Sequence, residues 1–179
     1  MKKLFYLFVV VTLFITSCMK NETQNDQSAG KKERMQAFYD QVMNAHNVAM
    51  LDSFTSADFN DHQADPHYPK GMDGLRAAFT DFFNAYPDLH VKTNFMMASG
   101  DTVMAHVTMT GTNSGSMMGM PPTNKQINID GVDIVVIKDG KAVEHWGYQE
   151  ENKMMTQLGL MPPMGPGPDS MHTVMEEKK

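Results

Sequence analysis

The chain has 179 residues, a formal net charge of −6 at pH 7 and one cysteine. This acidity argues against binding to nucleic acid or to an anionic membrane surface, and a lone cysteine excludes an internal disulfide. The length suffices for one domain with a single core, and it is too short for two.

The amino terminus has the pattern of a secretory leader. Lys2 and Lys3 precede an apolar run over 4–15 that is too short to span a bilayer as a permanent helix. The run ends in Ile15-Thr16-Ser17-Cys18, which resembles the lipobox of bacterial lipoproteins. That resemblance implies a signal peptide over 1–17 and a lipid anchor on Cys18. The alternative is an ordinary secreted protein with a chance cysteine in its leader.

The resemblance also implies a place in the cell. Removing the leader takes two lysines and changes the net charge from −6 to −8. A lipid-anchored chain belongs in the cell envelope, and Met19, in the place of an aspartate that retains some lipoproteins in the inner membrane, predicts the outer membrane of a Gram-negative bacterium. Polar composition predicts a flexible tether over 18–31, followed by the domain over 32–160. A disordered tail rich in Met, Pro and Gly is predicted over 161–179.

Helical periodicity dominates the first half of the domain. Apolar residues recur at three- and four-residue steps from Met35 to His46, and again from Gly71 to Tyr86, where Pro87 ends the pattern. A short helical piece is expected over 50–57. These patterns predict two long amphipathic helices and one short one.

The period then changes to two residues. Alternating apolar side chains predict strands over 89–97, 103–111, 126–137 and 141–149, and a last short helix is predicted over 151–158. Helices followed by an antiparallel meander predict an α+β fold.

Several short motifs now carry a resemblance to a known family, and they occur in that family's order and spacing. The chain resembles the SnoaL-like polyketide cyclase (ester cyclase) family, whose fold is the cone-shaped nuclear transport factor 2-like (cystatin-like) fold. The most specific motif is a glycine-x-proline-proline-threonine loop. The matching residues are Asp61-His62, Ala85 to Leu89, Gly100-Asp101, Gly111-Thr112, Gly119 to Thr123, Asp139 to Lys141, Glu144, Trp146 and Gln157 to Gly159.

The resemblance implies that a curved sheet wraps helices around one deep pocket for a small apolar or amphipathic molecule. In cyclases of this family a buried carboxyl group moves protons during ring closure. The position of that carboxyl falls on Gly147, which cannot transfer a proton. The expected pocket lining comprises Phe38, Val42, Asp61, His62, Phe79, Val135, Val143 and Gly147.

Asp133 and His145 are the candidate catalytic residues. Asp133 interrupts the apolar run over 132–137, and an ionisable group among such residues suggests a site. The alternatives without a functional role are an aspartate on the solvent face of the sheet and a histidine whose hydrogen bonds are only structural. An Asp-His pair in an apolar cone would fix the imidazole tautomer and make His145 a plausible general base. His62 could reach the pocket mouth or lie in a surface turn.

The hairpin at Asp139-Gly140 decides which residues meet. A two-residue turn sets Asp133 opposite Trp146, whereas a three-residue loop sets Asp133 opposite His145 and places Gly147 on the same face. The longer loop is favoured because it also gathers one apolar packing surface on the other face, where Glu144 must then be tolerated. The apolar residues of that surface are Val132, Ile134, Val136, Ala142 and Trp146.

Two function classes follow from these patterns. One is an enzyme of cyclase or isomerase type that uses Asp133 and His145. The other is a non-catalytic ligand-binding or dimer-forming module, because this fold often pairs through its sheet. No cofactor is expected, and the histidines lack a compact metal-ligand spacing. The 19 methionines leave a weaker alternative, Cu(I) binding by thioethers.

Overall fold

A computed structural model describes residues 28–162. The leader, most of the expected tether and nearly all of the expected tail lie outside the described residues. Residues 28–31, which were expected to belong to the tether, are helical. Within 28–162 no helix is long and apolar enough to cross a membrane.

Four helices form one layer of the domain. Helix α1 covers 28–38 and continues as a π-helical turn over Tyr39–Met43, which buries Tyr39 and Val42. A 3-10 turn over Val48–Met50 leads into α2, Leu51–Phe54. The long helix α3 spans Met72–Ala85, and α4 spans Glu151–Leu158 and ends at Gly159 in a left-handed conformation. The two predicted long helices are thus present, with the π turn as an unpredicted feature of the first.

Five strands form the second layer, in the order β1-β5-β4-β3-β2. Their bounds are Thr55–Asp61, His90–Ser99, Thr102–Thr112, Gln126–Lys138 and Lys141–Gln149. Strands β2 to β5 are the predicted antiparallel meander, and β1 joins its end in parallel with β5. The prediction of an α+β fold is confirmed.

Strand β1 corrects one predicted element. The short helix expected over 50–57 ends at Phe54, and Thr55 is already extended, with φ −120° and ψ 138°. Strand β1 lies at the sheet edge, and five of its seven side chains are polar, so its apolar alternation is weak. The edge strand matters for the site because it carries Asp61.

The core lies between the helices and the inner face of the sheet. Buried residues alternate along β3 and β4, and they meet Tyr39, Phe83 and Tyr86 from the helical layer. A smaller cluster of Val42, Leu51 and Phe54 packs behind α1. Phe38 joins the two clusters, because its ring makes edge-to-face contacts with three other rings, those of Tyr39, Phe54 and Phe79.

The β4-β5 hairpin differs from both predicted registers. Asp139 and Gly140 have φ of 50° and 74°, as a two-residue type I′ turn requires, and Lys138 pairs with Lys141. The favoured three-residue loop is therefore wrong. A bulge then inserts Val143, since Ile137 pairs with Ala142 but Val136 pairs with Glu144.

Because of the bulge, Asp133 and His145 lie on the same face of the sheet, as predicted, although their predicted pairing partners are wrong. Asp133 pairs with Gly147, and His145 pairs with Val135. Beyond the bulge this register differs from the favoured one by two residues, and a shift of two keeps each side chain there on its face. Between the turn and the bulge it differs by one, so Ala142 lies opposite Ile137 on the inner face and not beside Trp146 as predicted. Asp133, His145 and Gly147 therefore share the inner face, as the sequence predicted.

Candidate functional site

A chain of four polar side chains crosses the inner face near the β1 edge. The His145 ring lies between two carboxylates, with Nδ1 3.0 Å from Asp61 Oδ1 and Nε2 3.4 Å from Asp133 Oδ1. Tyr39 donates its hydroxyl to Asp133 Oδ2 at 2.5 Å. Four separate elements contribute one residue each, so the network forms only when the sheet closes around α1.

Each side chain is held by its own local structure. Tyr39 begins the π turn, is 2% exposed and has its hydroxyl aimed at the sheet. Asp61 ends β1, and its Oδ1 also accepts the backbone N–H of Gln63 at 3.0 Å. Phe59 lies beside the imidazole, with its ring centre 6.5 Å away.

The network is only partly closed to solvent. The side chains of His145, Asp61 and Asp133 retain 25%, 21% and 27% of their exposure, whereas Tyr39 is buried. Solvent therefore reaches part of the imidazole and part of each carboxylate.

The two carboxylates decide the charge of His145. Burial lowers the pKa of the imidazole, but the hydrogen bonds and charges of Asp133 and Asp61 outweigh it and raise that pKa to about 9. Burial likewise raises the pKa of Asp61, and the hydrogen bond and charge of His145 reverse this, so that the net pKa lies below its ordinary value. At neutral pH, His145 is an imidazolium whose two N–H groups face carboxylates.

This charge state changes the expected role of His145. A group with a pKa of about 9 carries its proton at pH 7 and cannot accept another. The arrangement therefore favours His145 as a proton donor, where the sequence suggested a general base.

Gly147 has no side chain and so leaves room for the His145 ring. A Cβ atom at this position would lie 3.0 Å from His145 Cε1, 3.2 Å from Nε2 and 3.6 Å from Asp133 Oδ1. The imidazole thus borders the space that a side chain at position 147 would need. The side chains of His145 and Asp133 therefore fill the space over Gly147 that a larger residue would need.

The remaining residues of the predicted pocket divide into two groups. Val135 is 7% exposed and lies opposite His145, and Phe79 packs with Phe38 on the helical side. Val42 is fully buried in the smaller cluster behind α1, and Val143 is the extra residue of the bulge. Neither is placed as the predicted lining requires.

Of the two positions considered for His62, the structure does not show the one at the pocket mouth. It lies on the outer face, where its ring stacks on Trp146 at 4.1 Å and its Nε2 lies 3.1 Å from Glu144 Oε2. The backbone N–H of His62 bonds to the carbonyl of His145, so consecutive residues of the Asp61-His62 step serve opposite faces.

The structure adds one residue that the sequence did not single out. In the sequence, Tyr39 has the spacing of a core residue of the first helix. Its hydroxyl needs a hydrogen-bond partner when it is buried, and this was the one signal that could have indicated a place in the site.

Two cavities lie away from this network. One, of about 540 Å³, is lined by Gly30, Lys31, Arg34, Asp101 and the β4-β5 turn, and the other, of about 400 Å³, lies beside Asp88, Gly111 and Gln157. Neither is lined by Asp133 or His145. Across 28–162 no group of three or more His, Cys, Asp or Glu side chains is arranged to hold a metal ion.

Comparison with solved structures shows the same fold in several bacterial proteins. TsrD from Streptomyces laurentii is 24% identical, with a TM-score of 0.63 over 74% of this chain and 95% of that one. AclR from Streptomyces galilaeus is 22% identical, with a TM-score of 0.68 over 84% and 96%. A SnoaL-like polyketide cyclase from Agrobacterium tumefaciens is 17% identical, with a TM-score of 0.61 over 72% and 98%.

Family-level comparison agrees with the fold. No curated protein matches the chain significantly. The model of the SnoaL-like polyketide cyclases matches residues 33–158, most of the chain and all five strands. The chain belongs to the SnoaL-like polyketide cyclase family.

Proposed function

We propose that the domain binds a small carbonyl compound against the exposed parts of His145 and Asp133 and transfers a proton on the adjacent carbon, in a reaction of cyclase or isomerase type. The observation that carries this proposal is the His145 imidazolium held between Asp61 and Asp133, three side chains that each remain partly exposed. Membership of a cyclase family makes a small-molecule substrate the natural expectation.

Asp61 and His145 form the electrophilic half of the site. The shorter contact, 3.0 Å from Nδ1 to Asp61, fixes the ring, while the 3.4 Å contact from Nε2 to Asp133 is long for a hydrogen bond. A substrate carbonyl oxygen that reaches the exposed part of the ring can therefore take the Nε2–H donor from Asp133. That hydrogen bond strengthens as the oxygen becomes an enolate.

Asp133 is the base in this scheme. Its carboxylate takes the proton from the carbon next to the carbonyl, the C–H electron pair moves into the enolate, and the carbonyl oxygen gains the negative charge beside the imidazolium. The enolate carbon then attacks a second carbonyl in a cyclase or is reprotonated elsewhere in an isomerase. Tyr39 holds Asp133 in place through its 2.5 Å hydrogen bond.

Electrostatics narrows the substrate class. Two carboxylates and one imidazolium give the site a net negative charge, in a chain whose net charge is −6. Anionic substrates are disfavoured, so we expect a neutral ketone, ester or similar compound.

Carbon-acid exchange tests the proposal without knowledge of the natural substrate. The full chain is incubated in D₂O with a panel of neutral ketones and β-keto esters, and loss of the C–H signal is followed by proton NMR. Loss of one acid or base group typically slows such a step by about 10²–10⁴-fold. We expect that loss for Asp133→Asn and His145→Gln and no change for Asp130→Asn, whose carboxylate lies on the outer face.

A second candidate is a non-catalytic ligand-binding module. The observation in its favour is Gly147, which stands where the family's proton-transferring carboxyl is expected. Native mass spectrometry of the purified chain would identify a copurified molecule. Retention of that molecule unchanged by wild type, together with equal exchange rates in wild type, Asp133→Asn and His145→Gln, would favour the binding module over the enzyme.

We also propose that the domain is tethered to the cell envelope by lipid on Cys18. Support comes from the sequence Ile15-Thr16-Ser17-Cys18 at the end of an apolar leader. Metabolic labelling with a clickable palmitate should tag wild type and leave Cys18→Ser untagged. Equal labelling of the two would refute the anchor.

A further inference from the structure

A cavity lies at the end of the sheet where the β2-β3 and β4-β5 turns approach residues 30–34 of α1, and we call it the hairpin cavity. Its volume of about 540 Å³ is in the range of small-molecule sites. It is lined by Gly30, Lys31, Arg34, Asp101 and residues 137–140. Because Asp133 and His145 do not line it, a ligand here would be separate from the proposed reaction.

The hairpin cavity is positively charged in a chain that is acidic overall. Acidic residues outnumber Lys and Arg by 21 to 15 in the whole chain, whereas three cations and two carboxylates line the cavity. Lys31 is already paired with one of these carboxylates, since its Nζ lies 2.5 Å from Asp101 Oδ1. Across residues 28–162 the structure pairs neither Arg34 nor Lys138 with a carboxylate, so these two cations are the ones that can bind a ligand.

Arg34 is held in place without being neutralised. Its guanidinium carbon lies 3.9 Å from the centre of the Phe54 ring, and its Nε donates to the carbonyl of Gly140 at 2.7 Å. One Nη donates to the carbonyl of Ser53. These hydrogen bonds use two of the five N–H donors of the side chain, and the others can bind an anion. Since the group is already fixed, an anion would bind with little loss of side-chain freedom.

The β4-β5 turn places two lysines directly opposite each other. Lys138 pairs with Lys141 in the last rung of the hairpin, and like charges in such positions destabilise the pairing. Lys141 turns towards α2, where its Nζ donates to the carbonyl of Asp52 at 2.8 Å. Lys138 is exposed and lines the cavity. An anion in the cavity would therefore offset a repulsion that the hairpin itself creates.

We propose that the hairpin cavity binds the phosphate group of a small hydroxylated molecule, with Arg34 and Lys138 as its cationic contacts. A phosphate suits this pair, because a planar guanidinium can bind two of its oxygens and an ammonium a third. The carboxylates of Asp101 and Asp139 can accept hydrogen bonds from hydroxyl groups and disfavour a ligand with many negative charges. A phosphate ester of a polyol meets both requirements.

Two sources supply this chemistry, a soluble phosphate ester and the headgroup of a phospholipid. Gly30 follows Cys18 by 12 residues, which span at most about 43 Å when fully extended. The lipid anchor proposed above would therefore keep the cavity near a membrane surface. The experiments below separate the two sources in a chain that cannot carry that anchor.

Calorimetric titration with glycerol 3-phosphate tests the soluble source, in the full chain carrying Cys18→Ser. We expect saturable binding of glycerol 3-phosphate and none of glycerol. Adding Lys138→Gln should weaken binding about 10-fold or more, because a charge-assisted hydrogen bond is lost, whereas Lys138→Arg should keep most of it. Lys92→Gln is the matched control, because it makes the same charge change at an exposed position near the other end of β2.

Cosedimentation of the same chains with vesicles tests the lipid source. A headgroup ligand predicts stronger binding to vesicles that contain phosphatidylglycerol than to phosphatidylcholine alone, with a loss in Lys138→Gln that Lys92→Gln does not share. Binding of glycerol 3-phosphate without this preference would assign the cavity to a soluble ester. The proposal is overturned if neither glycerol 3-phosphate nor phosphatidylglycerol binds. Equal losses in Lys138→Gln and Lys92→Gln would overturn it too, since they would show attraction by overall charge alone.

Discussion

Raising the pH should weaken the folded domain through the loss of a single proton from His145. The ordinary pKa of the imidazole is 6.5, and in the folded chain the two carboxylates raise it to about 9. Because the folded-state pKa is the higher one, the stabilisation is complete below about pH 6.5 and disappears as the pH rises through 9.

The size of the effect follows from the two pKa values. A tenfold change in proton affinity corresponds to about 1.4 kcal/mol, so the protonated network should contribute about 3 kcal/mol to the free energy of unfolding. Stability should fall by close to 1.4 kcal/mol for each pH step between these limits. That is a large share of the 5–15 kcal/mol typical of a domain.

Urea unfolding followed by circular dichroism between pH 6 and pH 10 measures this directly. His145→Gln removes the titrating group, so the difference in stability between wild type and this variant should shrink as the pH rises. His90→Gln is the control, because His90 is exposed on β2 and should leave the pH dependence unchanged. If the difference in the free energy of unfolding between wild type and His145→Gln stays constant from pH 6 to pH 10, the reasoning is refuted. Should the variant fail to fold, the NMR titration of the His145 ring in wild type decides the same question.

Two further predictions concern the neighbours of His145. Asp61→Asn removes a charge 3.0 Å from Nδ1 of His145 and should lower the pKa of His145, as measured by NMR. Glu144→Gln is the control and should leave that pKa unchanged, because Glu144 lies on the same strand as His145 but on its opposite face. Equal shifts in the two variants would contradict the assigned network. Gly147→Ala places a Cβ 3.0–3.2 Å from the His145 imidazole and should push the ring away from Asp133. The pKa of His145 should then fall towards 6.5, and the domain should lose about 1–3 kcal/mol of stability. An unchanged pKa of His145 would show that the ring does not depend on this glycine.

The elements that the sequence predicted well are those with strong periodicity. Strands β3 and β4 bury alternate residues, and helix α3 packs its phenylalanines against the core, so their apolar residues repeat accordingly. Strand β1 was missed because an edge strand with polar side chains has almost no such pattern. Its pairing with β5 is a long-range contact between residues more than 80 positions apart, and no local signal at 55–61 announces it.

The site was predicted in part for the same reason. The choice of the three-residue loop placed Asp133 and His145 on one face. That grouping is present although the loop is wrong, because the bulge adds one residue to the shift that the shorter turn makes. The bulge at Val143 could not be read from the hairpin, because both turn lengths suit Asp139-Gly140. Asp61 and Tyr39 reach the pair through tertiary packing, so their hydrogen bonds were invisible to any pattern of spacing.

The loss of a side chain at position 147 and the presence of His145 in the network are coupled by geometry. Any residue larger than glycine would bring a Cβ within 3.2 Å of Nε2, and a carboxylate there would add a third negative group beside Asp133 and Asp61. The imidazolium instead supplies a positive charge in the space that such a side chain would need. Glycine at this position therefore has a physical consequence beyond the absence of a carboxyl group, because it makes room for a cation between two acids. Whether that rearranged site transfers protons is the question that the exchange rates of Asp133→Asn and His145→Gln answer.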